Sequence, residues 1–363
     1  MSSTDLPFSA SELVQRLLIW YGRSGRDLPW RNSRDPYRIW LSEVMLQQTT
    51  VAAVIGYYQR FLEKFPTVES LAAASLEDVI DLWAGLGYYS RARNLHAAAK
   101  LIVDEFDGSF PAEVEELQRL PGVGRSTAGA ISALAFDRHA PILDGNVRRV
   151  FCRLFALQEP SRASSAEKQL WRWSGQVTPI EHIHDYTQAI MDLGATVCTP
   201  RKPLCCECPW NAVCLAKKNG LENRLPLKQP AKKIPTRAEV TLLLNYRGRY
   251  LVRRRVVDGF LGGLWEFPAM AVCSGESREE KLSLLCSDFG CGFSADLLGQ
   301  IQHVYSHFRL QSDIYRVEID DLSRIAEGEN SWFPLEELKK IALHGAHKKV
   351  LGVCLGLQIA TRK

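Results

Sequence analysis

The stretch Leu120-Pro-Gly-Val-Gly-Arg-Ser-Thr-Ala-Gly-Ala-Ile, residues 120–131, follows one helical pattern and opens another. Gly122 and Gly124 permit backbone conformations and close approaches that a Cβ would block. The main-chain amides at the following helix start then point outward and can coordinate an anion. A glycine-rich turn alone is weak, since it can be a bare connector between helices. The Leu-Pro lead and the Thr-Ala continuation make it a helix-hairpin-helix signature, in which Gly122, Val123, Gly124 and Ser126 surround a phosphate of DNA.

Outward from this turn, residues 1–214 read as helix after helix. In Ser11–Tyr21 the apolar Leu13, Leu17, Trp20 and Tyr21 fall on one helical face. Ser70–Ile80 and Arg91–Phe106 repeat that style, and no comparable stretch alternates with period two. Lys217–Arg237 then carries seven basic residues, one acidic residue and three prolines. It reads as an exposed linker whose charge could follow a phosphate backbone or serve only as a solvated tether. Beyond it the period changes to strand, turn and strand over Glu239–Asn245, Tyr246–Arg249 and Tyr250–Arg254. His303–Leu310 and Ser312–Ile319 alternate similarly, with helical segments near Glu276–Cys286 and Leu335–Ile341. The expected organisation is an all-α domain over 1–216, a linker over 217–237 and a smaller α+β domain over 238–363.

Composition bounds the rest. Of 363 residues, 46% are hydrophobic and 24% charged, which excludes collagen-like, disordered and fibrous chains. The net charge of +4 is too small to prove a polyanionic partner by itself. No apolar run approaches the ~20 residues of a membrane span, and MSSTDLPFSA lacks the basic and apolar regions of a secretory signal. The expected setting is cytoplasmic, at the nucleoid in a bacterium, with no membrane partner. Five of the ten cysteines crowd into residues 198–214, and in such a chain clustering favours metal ligation over disulfides.

Cys198, Cys205, Cys208 and Cys214 stand as C-x6-C-x2-C-x5-C, drawn together by Pro200, Pro203 and Pro209. Four thiolates so close can surround one centre without long-range folding. Cys-four ligation suits a [4Fe–4S] cluster or structural zinc. Zinc ribbons usually pair two CxxC knuckles far apart, and the single knuckle here leans to iron–sulfur. Cys206 would shorten the knuckle to C-x-C and is left out.

The hairpin and cysteine loop, in this order, resemble the endonuclease III superfamily of DNA glycosylases, and within it the adenine-excising MutY branch. The resemblance spans nearly the whole chain. It is carried by Leu28-Pro-Trp-Arg, Asp35-Pro-Tyr, Trp40-Leu-Ser-Glu-Val-Met-Leu-Gln-Gln-Thr, Gly85-Leu-Gly-Tyr-Tyr-Ser-Arg-Ala-Arg-Asn-Leu, Leu143-Asp-Gly-Asn-Val-Arg-Arg-Val, Met191-Asp-Leu-Gly-Ala and the two motifs above. It implies a two-lobed all-α glycosylase domain holding one [4Fe–4S] cluster, and base-excision repair by removal of adenine mispaired with 8-oxoguanine or G. Double-stranded DNA with such mispairs is the expected partner of a monomer, with a sliding clamp or repair proteins as further candidates.

Breaking the bond between adenine and deoxyribose builds positive charge on the sugar, so the reaction wants an acid for the base and an anion beneath the sugar. Glu43 lies in an apolar run, where burial should raise its pKa and keep a proton available. Asp144 precedes a helical pattern over Val147–Phe155, a capping position that favours the anion. An Asp before a helix is usually only a cap, and a lone Glu in an apolar helix is usually exposed. By resemblance Glu43 protonates adenine N7 and helps activate water, Asp144 stabilises the sugar cation, and Asn146 orients Asp144. Arg31, Trp30 and Gln188 match positions around the adenine. Gln48, Thr49, Leu86 and Tyr88, with Gln47, match those that fill the gap and hold the partner base, although Leu86 could be packing alone. Relatives that also cut the strand carry a nucleophilic lysine where Ser126 stands, so the expected enzyme lacks strong lyase action.

The C-terminal part resembles a Nudix-like module that inspects 8-oxoguanine. Gly262-Gly-Leu-Trp-Glu-Phe-Pro matches its structural signature, and Tyr305, Ser306 and His307 match its recognition loop, with Tyr305 where Phe is more frequent. His307 could equally be a satisfied strand histidine. Arg278-Glu-Glu lacks the spaced acidic cluster that holds Mg²⁺, so neither Mg²⁺ nor a nucleotide cofactor is expected.

Overall fold

The computed structural model describes residues 6–228, 233–256, 259–291, 295–320 and 330–356. Part of the expected linker (229–232) and both chain ends (1–5 and 357–363) lie outside the described residues. The chain divides into two compact units, Met1–Ser75 with Arg91–Ala231, and Leu76–Ser90 with Lys232–Lys363. The first thus runs past residue 216, and a stretch of the helical half groups with the second. Among the described residues no helix is long and apolar enough to cross a membrane.

The first unit is helical, as its periodicity requires. It contains α1 (Ala10–Ser24), α2 (Pro36–Leu46), α3 (Val51–Lys64) and α4 (Val68–Ala73). After α5 (Leu76–Leu82), which groups with the second unit, come α6 (Ser90–Phe106), α7 (Val114–Leu117), α8 (Arg125–Phe136), α9 (Gly145–Leu154), α10 (Ser164–Val177) and α11 (Ile183–Asp192). A π-helical turn over Leu193–Val197, a 3-10 turn over Cys205–Glu207 and α12 (Leu215–Lys218) follow. The face read on α1 is the one it buries: Leu13 and Leu17 are inaccessible. Ser9 caps that helix by accepting from the Glu12 amide. The Ser70–Ile80 pattern is corrected to two helices. α4 ends at Ala74 after the capping box of Thr67 and Ser70, and acidic Glu77 and Asp78 fit the positive start of α5.

The second unit is a mixed sheet covered by helices. Its strands are β1 (Thr236–Tyr246), β2 (Arg249–Arg254), β3 (Trp265–Glu266), β4 (Ala269–Val272), β5 (Asp296–Val304), β6 (Arg309–Glu318) and β7 (Asn330–Pro334). The sheet runs β3-β2-β1-β6-β5, with β4 also on β1 and β7 on β2. β1 and β6 are parallel, Thr241 opposite Ile314, and the other pairs are antiparallel. Alternation on β1 sends Val240, Leu242 and Leu244 to one face, against Leu282 and Leu285 of α13 (Arg278–Asp288). Glu239 on the other face meets His347 of α15 (Gly345–Cys354), and the single turn α14 (Leu335–Leu338) lies between. The strand expected over His303–Leu310 is corrected: β5 ends at Val304, and Tyr305–Phe308 form a turn closed by Tyr305 N–H donating to Phe308 C=O at 2.9 Å. Tyr305 and Phe308 pack together at 4.9 Å between ring centres across that turn, where a continuous strand would set residues three apart on opposite faces.

Candidate active site

The first unit encloses a cavity of about 510 Å³ lined by Glu43, Asp144, Asn146, Arg31, Trp30 and Gln188, together with Gln48, Thr49, Gly124 and Ser126. Residues up to 158 positions apart, Trp30 and Gln188, therefore share one space, although only their motifs, not their contacts, were visible in the sequence.

Glu43 rides on α2, whose other residues explain its placement. Asp35 accepts from the Tyr37 amide and Pro36 starts the helix, while Trp40, Leu41, Val44 and Met45 are buried. The carboxyl faces the cavity. Burial first, then the neighbouring Asp144, raises the Glu43 pKa to about 7, against a lowering pull from Arg31. The expectation of an up-shifted acid holds, with a proton shared near neutrality.

Asp144 caps α9, its Oδ1 accepting from Val147 N–H at 2.7 Å. Burial raises its pKa, while the amides of Val147 and Asn146 and the charge of Arg149 pull it down. Burial thus outweighs the cap, which the sequence alone does not reveal. Three contacts fix this corner. Ser126 Oγ accepts from Leu143 N–H at 3.0 Å, so this hydroxyl of the hairpin's second helix ties down the approach to Asp144. Arg149 Nη2 donates to Asn146 Oδ1 at 2.8 Å and to Gly194 C=O at 2.7 Å. Gly194 must be glycine, because a Cβ there would lie 2.6 Å from Asn146 Cβ.

The opposite wall is a polar network the motifs did not disclose. Buried Asp192 accepts from Arg31 at 2.6 Å and Arg26 at 2.5 Å. Arg31 also donates to Gln188 Oε1 at 3.0 Å. The Trp30 ring packs edge-on to Tyr58 at 5.3 Å and is buried.

At the rim, Gln48 is exposed in the left-handed region with φ of 57°, and Thr49 follows. Arg91 explains their shape. Its guanidinium donates to the carbonyls of Val44, Met45 and Gln47 at 3.0, 2.8 and 2.7 Å and to Thr49 Oγ1 at 3.0 Å, closing the end of α2. The hairpin stands as α7, turn and α8. Gly122 has φ of +79° and a Cβ would meet Asn94 at 2.8 Å, while nothing stands within 4 Å of a Cβ at Gly124, where α8 begins without a side-chain cap. The amides of that first turn are thereby open to an anion.

Leu86 and Tyr88 belong to the second unit. Leu86 is buried, as packing requires, whereas Tyr88 is 51% exposed with φ of 50°. Trp83 Nε1 donates to Gly87 C=O at 3.1 Å and the Tyr89 hydroxyl accepts from Gly85 N–H at 3.1 Å, which holds this strained turn. In the same unit Ser306 and His307 are exposed at the β5–β6 turn and Tyr305 is half-buried, its hydroxyl 3.2 Å from His344 Nδ1. Beneath lies Glu266, within the Gly262–Pro268 signature. Burial opposes its ionisation, but His344, Arg255, His347 and Arg253 hold its pKa down at about 2.

The cysteine loop packs against α9 and α1. Arg153 donates to Cys198 Sγ at 3.3 Å and Thr199 C=O at 2.7 Å, and Arg149 Nε to Cys198 C=O at 2.7 Å. Buried Trp210 donates to Leu13 C=O at 2.9 Å. Burial pushes the Cys208 thiol up to about 12, and Cys198, Cys214 and Cys205 oppose its ionisation as neighbouring charges. The other three expected ligands are thus charge neighbours of Cys208, although among the described residues no three donors are arranged to hold a metal ion, and Cys206 is exposed.

A hairpin-led helical unit with two carboxylates in its cavity is the architecture of a base-excision glycosylase. Residues 41–176 match the HhH-GPD superfamily of base excision DNA repair proteins, and residues 239–352 the NUDIX domain. A thermostable thymine-DNA glycosylase superposes with a TM-score of 0.54 at 29% identity, over 58% of this chain and 97% of that one. An endonuclease III–DNA complex does so at 0.50 and 24%, which shows the shared fold. The adenine DNA glycosylase of Mus musculus is 36% identical over 96% of this chain and 78% of its own length, and that of Buchnera aphidicola from Acyrthosiphon pisum 33% identical over 93% and 96%. The chain belongs to the adenine DNA glycosylase family. It is a hydrolase of N-glycosyl bonds in base-excision repair.

Proposed function

We propose that the chain removes adenine paired with 8-oxoguanine, and with G, by hydrolysis that leaves an abasic site in an intact strand. The observation that carries this reading is the meeting of Glu43 and Asp144 in one cavity, with burial raising the pKa of both. Two like charges close together in a dry site resist joint ionisation. Asp144, which accepts main-chain amides and faces Arg149, is the better anion, and Glu43 keeps the proton. Glu43 then protonates adenine N7, Asp144 stabilises the sugar cation as the bond breaks, and Glu43, now a base, takes a proton from the attacking water. Asn146 orients Asp144, and Arg31, Trp30 and Gln188 bound the base.

Extrusion of the adenine costs a few kcal/mol; Gln48 and Thr49 fill the gap it leaves, and Tyr88 stacks on the partner base, with Leu86 buried in its own turn. The open amides at Gly122–Ser126 hold a phosphate of the strand. Tyr305, Ser306 and His307 read 8-oxoguanine; replacing Ser306 and His307 by alanine should slow the search for that lesion more than the chemistry. Residues 1–216 form the glycosylase domain, 217–237 the linker and 238–363 the Nudix-like domain. The chain acts as a cytoplasmic monomer on double-stranded DNA, with a clamp or repair protein as further partner.

Cys198, Cys205, Cys208 and Cys214 fit one [4Fe–4S] cluster. Four thiols that oppose one another's ionisation want a cationic centre. When bound, the cluster supplies a cross-link that shapes the loop. Arg153 and Arg149 join that loop to α9, and so to Asp144 and Asn146.

The test is single-turnover excision on duplexes with A·8-oxoguanine, A·G, A·T and T·8-oxoguanine, worked up with and without alkali. Breaks only after alkali, fastest on A·8-oxoguanine and next on A·G, are expected. Breaks without alkali overturn the monofunctional reading, and equal rates on the first two duplexes overturn the lesion preference.

A further inference from the structure

His184 lies one helical turn before Gln188 on α11 and lines the same cavity. Its Nδ1 is 2.9 Å from Leu134 C=O, and its Nε2 is 2.6 Å from Gln188 Nε2. A carbonyl only accepts, so Nδ1 carries the hydrogen and Nε2 presents a lone pair. The other end of the amide gives the same answer independently. Arg31 Nη1 stands 3.0 Å from the atom at the Oε1 position, and a guanidinium only donates, so that atom is the oxygen. Two one-way groups, a main-chain carbonyl and an arginine held by Asp192, thus fix the direction of every hydrogen bond between them.

The inventory then leaves little freedom. Gln188 Oε1 accepts from both Arg31 and the Tyr21 hydroxyl, which uses its two lone pairs. One hydrogen of Nε2 is committed to His184. What Gln188 offers a molecule in the cavity is a single N–H and no acceptor.

We infer that His184 is a positioning residue that sets the polarity of the adenine pocket, locking the Gln188 amide so that it meets the base as a hydrogen-bond donor. This rests on the proposed placement of adenine beside Gln188. With the Glu43 proton directed to N7, the ring nitrogens N1 and N3 are the acceptors left for that N–H. An amide free to turn over would set its oxygen against a ring lone pair and repel it.

The test compares single-turnover excision of adenine, 1-deazaadenine and 3-deazaadenine by the parent, His184→Asn, His184→Gln and Gln188→Ala. Dividing the rates for each analogue between enzymes cancels the analogue's own reactivity. His184→Asn keeps a donor near the Nδ1 position but nothing at Nε2. It should lose roughly tenfold of the parent's preference for adenine over one of the two analogues, the scale of one hydrogen bond. His184→Gln, with an acceptor near the Nε2 position, should regain most of that preference. Gln188→Ala should lose it as His184→Asn does. A preference lost in Gln188→Ala but intact in His184→Asn overturns the lock alone. A preference intact in Gln188→Ala overturns the placement of adenine beside Gln188, and the inference with it. Ring ¹⁵N shifts of His184 in the parent chain need no variant: a hydrogen on Nε2 would overturn the lock whether or not the substituted chains fold.

Discussion

Ser126 Oγ on α8 accepts from the main-chain N–H of Leu143 at 3.0 Å, one residue before Asp144. A hydroxyl on the helix of the phosphate turn therefore anchors the entry to the helix that carries the anion. Ser126→Ala leaves a buried amide without this acceptor and should cost about 1–2 kcal/mol of stability. The excision rate should fall several-fold while duplex affinity holds, and Ser126→Thr should retain most of both. Urea unfolding and single-turnover rates check this, and an unchanged rate would separate Ser126 from the placement of Asp144.

The Glu43 pKa of about 7 fixes the sign of two pH dependences. Excision needs the protonated acid, so its rate should decline as pH rises through about 7. The same shift affects stability. The folded state binds this proton more tightly than the unfolded chain, so the contribution is full below the ordinary carboxyl value of 4.5 and is lost as pH rises through about 7. Glu43→Gln, neutral throughout, should be inactive yet more stable than the parent at pH 8, by about 1–3 kcal/mol, and equal to it near pH 4. Thermal unfolding across that range gives the answer, and parallel curves for the two chains would contradict it.

Arg91 closes the end of α2 through three carbonyls and Thr49. Its loss leaves several buried acceptors unmet, and Arg91→Ala should destabilise the chain by about 3 kcal/mol or more. Lysine cannot reproduce the planar fork, so Arg91→Lys should recover only part. Because the Gln48 turn depends on this closure, the rate ratio of A·8-oxoguanine to A·G should shrink in both variants, and a constant ratio would confine Arg91 to stability.

Cys206 and Cys208 are two positions apart but differ in setting, one exposed and one facing the other thiols. Cys206→Ser should retain bound iron and the visible absorbance of an iron–sulfur cluster, while Cys208→Ser loses both and unfolds at lower temperature. Loss of iron from Cys206→Ser would reassign the ligands.

What the sequence disclosed follows from range. The α1 face, the Asp144 cap and the hairpin are written within a few neighbouring residues, where periodicity and capping chemistry act. The burial of Glu43 was legible because its whole helix is apolar. Arg91 gives no local signal, since its partners lie 42–47 positions away. Asp192 looks like a helix-end acid until Arg26 and Arg31 arrive from 161–166 positions away. The break at Ala74 was hidden by alanines that suit one long helix. The turn at Tyr305–Phe308 was hidden because it contains no Gly, Pro, Asn or Asp to mark it between two alternating runs.

The indole of Trp210 reaches back to the carbonyl of Leu13, and Asp192 to Arg26. The first described helix of this unit thus finds its covering among segments made much later in the same unit, α10 and α11 among them. Until α10 and α11 are made, the buried face of α1 that carries Leu13 and Leu17 lacks the helices it packs on. Such late, long-range closure slows folding and exposes the chain to aggregation meanwhile. How soon the later helices follow the first would then govern how much folded chain accumulates, apart from how fast each finished copy works.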